Sequence, residues 1–319
     1  MTAGSEPRAV NAFPPLPIDA LRVLNALREM PPDQVVEPGV TAADALAVMS
    51  IPPVPPGSVH ISDQVYGTAG RGGRQLRMHL YRRADPTERM PGVVFIHGGG
   101  FREGFPEMLI RYAAELAGRG YVTASIDYRL SGEAPWPAAL EDSKCAVRWF
   151  RAHAADIGLD ATRVGVAGGS AGGHLAAMVA STPGSFEGTG GSDHASSEAK
   201  AAVLWYPGVD LRPSVGTAVL NEATEAFFGH PVTDAEAAIA SPFTYARTAR
   251  PTLTFTGDAD PILPVEHVRA YHSALSAAGV ANQLVEVPGV GHSFDYNLVR
   301  WQECFDAMAS WFDRRLAAP

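Results

Sequence analysis

Cysteine is scarce in this chain of 319 residues, which contains Cys145 and Cys304 and no others. Both fall in helical patterns, and two cysteines cannot build the disulfide framework that is typical of small secreted proteins. The N-terminal residues also lack the apolar core of a signal peptide. We therefore expect two buried free thiols and a cytoplasmic protein.

Long apolar runs, basic runs and metal-ligand patterns are missing as well. No stretch reaches the roughly 18 uncharged apolar residues that a membrane-spanning helix needs, so no membrane span is expected. Asp and Glu number 34 against 25 Lys and Arg, a net charge of −9, and no basic run could follow a phosphate backbone. His, Cys and Asp do not cluster at the spacing of metal ligands. We expect no nucleic-acid partner, no metal and no other cofactor.

Glycine and proline are plentiful, at 32 and 26 residues, and 46% of the chain is hydrophobic, which indicates a folded protein with many turns. The proline-rich segment Ile51–Gly57 can form neither a helix nor an inner strand. Before it, an apolar stripe predicts a helix from Ile18 to Met30. A second helix is predicted from Ala42 to Met49, because Thr41 is a candidate N-cap and Asp44 follows it by three residues. We therefore divide the chain into an N-terminal helical segment, 1–57, and a main domain, 58–319.

After the proline-rich segment, short apolar runs alternate with helical patterns. This alternation predicts an α/β fold with a mostly parallel sheet of about eight strands flanked by helices. The predicted strands are Val59–Tyr66, Gln75–Tyr81, Val93–Ile96, Val122–Ile126, Val164–Ala167, Val203–Trp205, Leu253–Phe255 and Leu284–Val287. The irregular stretch 207–250 is expected to form a lid. The last strand is expected at an exposed edge, where it could pair two subunits into a homodimer.

A Gly-x-Ser-x-Gly sequence, Gly168–Gly172, follows one of these strands and leads into a helical pattern, Ala171–Ser181. This is the setting of a nucleophile elbow, a tight strand-to-helix turn that exposes a serine hydroxyl at the carboxyl edge of a sheet. A phosphate-binding loop would require Gly-Lys-Ser/Thr, which is absent, and a plain glycine-rich turn is the remaining alternative. Ser170 is therefore the predicted nucleophile.

A second motif, His97–Gly100, directly follows the strand Val93–Ile96. Acyl transfer passes through an oxyanion that needs N–H donors already aimed at it, and consecutive glycines let bare backbone approach the substrate. His97 precedes the elbow and belongs to the loop motif, so we interpret it as a residue that holds the loop by hydrogen bonds.

A serine nucleophile needs a base, and in this arrangement the chain order is serine, acid, histidine. His292 lies in the loop after the last predicted strand, at the edge where the elbow is expected. His267 and His272 fall in a helical pattern, where we expect contact with solvent. His292 is therefore the predicted base.

The acid that orients His292 is predicted to be Asp260, in the loop after Leu253–Phe255. The prolines that follow Asp260 hold the turn before the next helix, which favours it over Asp258 in the same loop. Asp210, one strand earlier, is a further alternative. Aspartate also caps helices and forms turns, so each of the three could have a purely structural role.

Seven segments, in order, resemble motifs of the α/β-hydrolase superfamily, and within it of the hormone-sensitive-lipase-like carboxylesterases. They are His97–Phe101, Asp127–Leu130, Pro135–Asp142, Gly168–Leu175, Tyr206–Pro207, Gly257–Asp260 and Gly291–Phe294. The resemblance implies oxyanion donors at Gly99, Gly100 and Ala171, and likens the N-terminal helices to the family's helical cap. Gly169 replaces the acidic residue usual in that family, and this elbow is more like that of feruloyl- and acetyl-esterase-like proteins.

Five aromatic residues adjoin these motifs and are predicted to line a substrate pocket. They are Phe101, Trp136, Trp205, Tyr206 and Phe294. Bulky aromatic side chains beside the acyl group favour short acyl chains over long lipid tails.

We therefore expect a serine carboxylesterase that hydrolyses small-molecule esters of short- to medium-chain acids through Ser170, His292, Asp260 and an acyl-enzyme. The same machinery would suit a feruloyl or acetyl-sugar esterase, or an amidase or peptidase, and the motifs do not separate these. A non-catalytic receptor with this fold would tend to lose the nucleophile or the base, and both are present here.

Overall fold

The computed structural model describes residues 26, 29–37, 40–49, 59–70, 72–84 and 88–318. An antiparallel pair, β1 (Val35–Glu37) and β2 (Val40–Thr41), leads into helix α1 (Ala42–Met49), whose bounds are those predicted. The helix predicted from Ile18 to Met30 lies almost wholly outside the described residues, and Ile51–Gly57 lies wholly outside them. No helix in the described ranges combines the length and the apolar character needed to cross a membrane.

A sheet of eight strands forms the centre of the structure. In chain order the strands are β3 (Val59–Thr68), β4 (Gln75–Arg83), β5 (Met90–Ile96), β6 (Val122–Ile126), β7 (Leu159–Gly169), β8 (Ala202–Trp205), β9 (Thr252–Gly257) and β10 (Asn282–Val287). They lie side by side in the order β10-β9-β8-β7-β5-β6-β4-β3. The pairs β3–β4 and β4–β6 are antiparallel and the other neighbouring pairs are parallel. The predicted mostly parallel sheet is confirmed, and β10 lies at an edge, although pairing of subunits along it stays a prediction.

Helices cover both faces of this sheet. They are α2 (Ile110–Gly118), α3 (Ala138–Ala152), α4 (Ala154–Ile157), α5 (Ala171–Ser181), α6 (Ala218–Phe228), α7 (Asp234–Ile239), α8 (Val265–Ala277) and α9 (Leu298–Arg315). Short 3₁₀ turns occupy Pro106–Leu109, Pro242–Tyr245 and Phe294–Tyr296. Asn297 caps α9, because its side-chain oxygen accepts hydrogen bonds from the first N–H groups of that helix.

The inner strands are apolar on both sides because helices cover both faces of the sheet. In β5, Val94 faces the core shared with α3 and α5, whereas Phe95 faces the core shared with α2 and α9. One free cysteine lies in each core: Cys145 in the first and Cys304 in the second. The prediction of buried free thiols is confirmed, and the cellular compartment stays a prediction.

The stretch 207–250 contains α6, α7 and a 3₁₀ turn, and it contacts the glycine-rich loop that follows β5. Phe227 of α6 stacks on Phe101 of that loop, with 3.8 Å between the ring centroids and 12° between the ring planes. Arg102 and Glu222 join the same two segments through an ion pair of 2.7 Å. A lid function of this stretch, and the domain boundary at residue 57, stay predictions.

Glycine is required where β7 turns into α5. A Cβ on Gly172 would overlap the backbone carbonyl oxygens of Ile96 and His97, and a Cβ on Gly168 would overlap the carbonyl oxygen of Gly172. The first turn of α5 therefore packs directly against the end of β5. This contact sets the distance between Ser170 and the loop that follows β5.

Replacing Gly172 by alanine should destabilise the protein, because the added methyl group meets backbone atoms that cannot move aside. We expect Gly172→Ala to lower the free energy of unfolding by about 3 kcal/mol or more, measured by chemical denaturation. The matched control is Gly118→Ala at the end of α2, where a Cβ meets nothing within 4 Å. The control should be neutral or stabilise by up to about 1 kcal/mol. Equal stabilities of the two variants would contradict the packing described here.

Candidate active site

Ser170 occupies the turn between β7 and α5 with φ 55° and ψ −121°, a backbone conformation that residues other than glycine rarely adopt. Its backbone N–H donates to the carbonyl oxygen of Trp205 at the end of β8, at 2.9 Å. Such a conformation costs on the order of 1–3 kcal/mol, so the surrounding packing must hold it. The turn places Ser170 at the wall of a cavity.

The predicted nucleophile, base and acid come together although they lie on three separate loops. His292 Nε2 lies 2.9 Å from Ser170 Oγ, and His292 Nδ1 lies 2.7 Å from Asp260 Oδ2. Because an ionised carboxylate only accepts hydrogen bonds, Nδ1 carries the proton and Nε2 is left to accept from the serine hydroxyl. His292 is 6% exposed and Asp260 is 8% exposed, so bulk water competes little for these bonds.

Of the three acid candidates, Asp260 is the one that contacts His292. Its second oxygen, Oδ1, accepts from the backbone N–H groups of Ile262 at 2.8 Å and Leu263 at 3.0 Å, which fixes the carboxylate in place. Asp258 is exposed and accepts from a backbone N–H in the loop after β10. Asp210 is buried and bound to the guanidinium of its neighbour Arg212.

The glycine-rich loop after β5 borders the same cavity. Gly98, Gly99 and Gly100 line it together with Ser170 and Ala171. Gly99, at φ 118°, and Gly100, at φ 59°, both lie in the region that favours glycine. The cavity therefore brings the predicted oxyanion residues to one place.

His97 contacts its own loop, whereas the histidine bonded to Ser170 is His292. Its Nδ1 donates to the carbonyl oxygen of Gly98 at 2.7 Å, and its ring stacks on Tyr128, with 4.3 Å between centroids. Burial lowers the pKa of His97 to about 4. His97 is thus a neutral residue that supports the loop, in the role predicted for it.

The cavity at Ser170 has a volume of about 340 Å³. One group of lining residues is aliphatic: Leu211, Val219, Leu220, Ala223, Ile262 and Leu263. A second group is aromatic or polar: Arg111, Tyr112, Tyr206, Asp295, Tyr296 and Trp301. Within the described residues, no group of three or more His, Cys, Asp or Glu side chains could hold a metal ion.

A family model described as BD-FAE matches residues 78–275, more than half of the chain. The chain belongs to the BD-FAE family. The match begins in β4 and ends within α8, so it includes the glycine-rich loop, the elbow and Asp260, whereas His292 lies beyond it.

Named relatives of this BD-FAE protein are esterases. Esterase LipQ of Mycobacterium tuberculosis is 31% identical over 238 residues, which cover 71% of this chain and 56% of the relative. Ethyl acetate hydrolase of Pseudomonas putida is 30% identical over 240 residues, which cover 70% of this chain and 73% of the relative. The chain therefore spans little more than half the length of LipQ.

Solved structures show the same architecture. A thermophilic esterase of Thermogutta terrifontis, Est2, superposes with a TM-score of 0.71 at 30% identity, covering 85% of this chain and 98% of that one. The same esterase has been solved with propionate bound, with butyrate bound and phosphorylated by paraoxon. The predicted α/β-hydrolase fold is confirmed.

Of the five aromatic residues predicted to line the pocket, Phe101 and Tyr206 do so. Trp136, Trp205 and Phe294 are not among the lining residues, which corrects the predicted pocket. Proximity to a motif in sequence therefore identified two lining side chains and misplaced three.

The three misplaced side chains point into packed regions. Trp205 is fully buried on the face of the sheet that α2 and α9 cover, where it stacks on Phe255. Phe294 is 1% exposed and belongs to the same core. Trp136 packs edge-on against Phe227, with 5.5 Å between centroids.

Sequence reasoning missed several lining residues. Leu263 follows Asp260 by three positions and could have been found from that spacing. Leu220 lies on α6, in the stretch predicted as a lid. Tyr112 and Asp295 join each other across 183 positions of the chain, and no local pattern indicates such a contact.

Two further histidines are buried. His174 on α5 lines the cavity, its Nδ1 donates to the carbonyl oxygen of Gly208 at 2.7 Å, and burial lowers its pKa to about 4. His272, which was expected in solvent, is 5% exposed, with Nδ1 2.9 Å from the side-chain oxygen of Asn282. The helical pattern was correct, but His272 lies on the inward face of α8.

His97 and His174 should remain neutral from pH 5 to pH 8, because burial lowers the pKa of each to about 4. Histidine NMR signals assigned with the His97→Asn and His174→Asn variants should show no titration in that range. An unfolded histidine takes up a proton near pH 6.5, so the free energy of unfolding should fall as the pH drops from about 6.5 towards 4. A titration midpoint near 6.5 for either residue would contradict its burial as a neutral ring.

Proposed function

We propose that this chain is a serine carboxylesterase that hydrolyses esters of short- to medium-chain carboxylic acids. The observation that carries the proposal is the unbroken run of hydrogen bonds from Asp260 through His292 to Ser170 Oγ at the cavity wall. The chain's relatives LipQ and ethyl acetate hydrolase are esterases by name, which also supports ester hydrolysis.

In the proposed reaction, His292 Nε2 takes the proton of Ser170 as Oγ attacks the ester carbonyl carbon. Asp260 stabilises the imidazolium and keeps the ring in the required orientation. The tetrahedral intermediate collapses, the alcohol leaves with the proton from His292, and an ester of Ser170 remains. Water, deprotonated by His292, then attacks this acyl-enzyme and releases the acid, and the proton returns to Ser170.

We assign the oxyanion site to the backbone N–H groups of Gly99, Gly100 and Ala171. Ala171 is the first residue of α5, where N–H groups have no partner within the helix. The two glycines carry no side chain that would block approach to Ser170. Each such donor contributes about 100- to 1000-fold to the rate in enzymes that use one.

The size of the cavity and its aliphatic lining support small acyl groups. A volume of about 340 Å³ is near the lower end of ligand pockets. Phe101 is held in the wall by its stack on Phe227, which limits the depth available to a long chain. Propionate and butyrate complexes of the Thermogutta terrifontis esterase, and the name of the ethyl acetate hydrolase, point to similar substrates.

Turnover of p-nitrophenyl esters tests this function. Wild type should hydrolyse the acetate, butyrate and octanoate with kcat/KM at least about 10-fold above the palmitate, because the pocket excludes long chains. Ser170→Ala should lower kcat by about 10⁴-fold or more. The matched control, Ser273→Ala, removes an exposed hydroxyl on α8 and should keep wild-type kcat.

Two outcomes would count against the proposal. Wild-type activity in Ser170→Ala would exclude the serine mechanism. Faster turnover of a feruloyl ester than of every short-chain ester would indicate a feruloyl esterase. Faster turnover of a p-nitroanilide would indicate an amidase that uses the same residues.

The choice of acid is tested by two conservative variants in one loop. Asp260→Asn should lower kcat by about 10⁴-fold, because an amide favours the wrong tautomer of His292. Asp258→Asn changes an exposed side chain whose contact is a backbone N–H, so kcat should stay within about twofold of wild type. Equal losses in the two variants would show that Asp260 has no special part in the reaction.

A further inference from the structure

Asp295 is a buried carboxylate that the proposed mechanism does not use. It is 4% exposed, lines the cavity at Ser170 and follows His292 by three positions, within the 3₁₀ turn Phe294–Tyr296. Its Oδ1 accepts from the Tyr206 hydroxyl at 2.5 Å, and its Oδ2 accepts from the Tyr112 hydroxyl at 3.0 Å. Two phenol donors thus compensate a carboxylate that would otherwise be costly to bury.

Tyr206 connects this carboxylate to His292. Its ring centroid lies 4.5 Å from that of His292, and a Cβ on Gly169 would lie 3.4 Å from the same phenol ring. The backbone of Tyr206 has φ 35°, unusual for a residue with a side chain, and its N–H donates to the carbonyl oxygen of Phe255 at 2.6 Å. The ring is therefore held at the backbone and again at the hydroxyl, between the elbow and the base.

We propose that Asp295 is a positioning residue of the active site. Its hydrogen bond to the Tyr206 hydroxyl fixes the Tyr206 ring that contacts His292, and its negative charge favours the imidazolium form of His292. This inference rests on the proposed function, since it assigns a role within the same reaction. Asp295 acts through Tyr206 and at a distance, whereas Asp260 is the direct partner of His292.

The electrostatic part of the proposal follows from the groups around Asp295. Burial raises the pKa of Asp295, and the hydroxyls of Tyr206 and Tyr112 and the neighbouring His292 limit that rise without cancelling it. Burial also raises the pKa of both phenols, so each hydroxyl keeps its proton and donates it to the carboxylate. Because attraction between two charges is mutual, the Asp295 carboxylate also stabilises a protonated His292. Tyr296 and Cys304 also lie near this carboxylate.

Arg102 and Arg111 line the same cavity, and both already have other partners: Arg102 forms the ion pair with Glu222. The guanidinium of Arg111 lies over the Trp301 ring, 4.3 Å from its centroid. It donates to the carbonyl oxygen of Ala47 at 3.0 Å and to the carboxylate of Glu115 at 3.3 Å. Asp295 therefore has phenols as its hydrogen-bond partners, and no cation in the described part of the chain forms an ion pair with it.

Three substitutions separate the charge of Asp295 from its hold on Tyr206. Asp295→Asn keeps an oxygen that can accept from Tyr206 and removes the charge. Tyr206→Phe keeps the ring and the charge and removes the hydrogen bond. Tyr112→Phe removes the other phenol donor to the same carboxylate. Because the Tyr112 ring packs against Trp205 and Trp301 rather than against His292, this variant is the matched comparison.

The test is the pH dependence of p-nitrophenyl butyrate hydrolysis from pH 5 to pH 9, with thermal unfolding of every variant measured in parallel. In Asp295→Asn the acid limb of the kcat/KM profile should move to lower pH, because the active site loses a negative charge that attracts the imidazolium. In Tyr206→Phe kcat should fall about 10- to 100-fold with little change in KM, because the base is less well placed. Tyr112→Phe should lower kcat less than Tyr206→Phe.

A wild-type pH profile and kcat in a folded Asp295→Asn would overturn the inference, as would equal kcat values in Tyr206→Phe and Tyr112→Phe. If Asp295→Asn does not fold, the comparison of the two tyrosine variants decides alone. Failure of the proposed function would look different, since Ser170→Ala would then hydrolyse the ester as fast as wild type. That result would remove the reaction in which Asp295 is assigned its role.

Discussion

The chain reverses direction between β7 and α5 at one residue, Ser170, whose backbone is held in a conformation that residues other than glycine rarely adopt. The reversal requires that α5 start in contact with the end of β5, a contact that Gly168 and Gly172 allow because they carry no Cβ. The same contact brings the loop after β5 to the side of Ser170. The packing that holds the serine in place therefore also places the glycine-rich loop beside it.

The parallel sheet extends this arrangement to the other residues of the candidate active site. Five neighbouring strands end at one edge, and the residues that follow β5, β7, β8, β9 and β10 are Gly98–Gly100, Ser170, Tyr206, Asp260 and His292 respectively. Loops at the carboxyl ends of parallel strands commonly form binding sites, because the strands hold them at fixed spacing. Strand order thus brings His292 to Ser170 across 122 positions of the chain, and Asp260 to His292 across 32.

This geometry explains what sequence reasoning could reach. Inner strands are covered on both faces, so they read as short apolar runs, and the elbow has a composition that few other turns require. Strand order indicates the loop after β9 but does not separate its two aspartates, and the choice of Asp260 over Asp258 depended on the prolines that follow Asp260. The residues that line the pocket were harder to predict. Trp205 and Tyr206 are adjacent in sequence, but Trp205 faces the core and Tyr206 faces the cavity. The position of Asp295 in the site could not be predicted from local sequence, since its partner Tyr112 is 183 positions away in the chain.

Activation of Ser170 by His292 is tested most directly by locating the adduct that paraoxon leaves on the protein. The agent reacts with an activated serine whatever acyl group the enzyme prefers, so the result does not depend on the natural substrate. Peptide mass spectrometry of the treated wild type should find one diethylphosphoryl group, on Ser170, and the labelling rate should fall sharply in His292→Ala. An unmodified Ser170 in folded protein, or an adduct confined to another residue, would contradict the assignment of the active site.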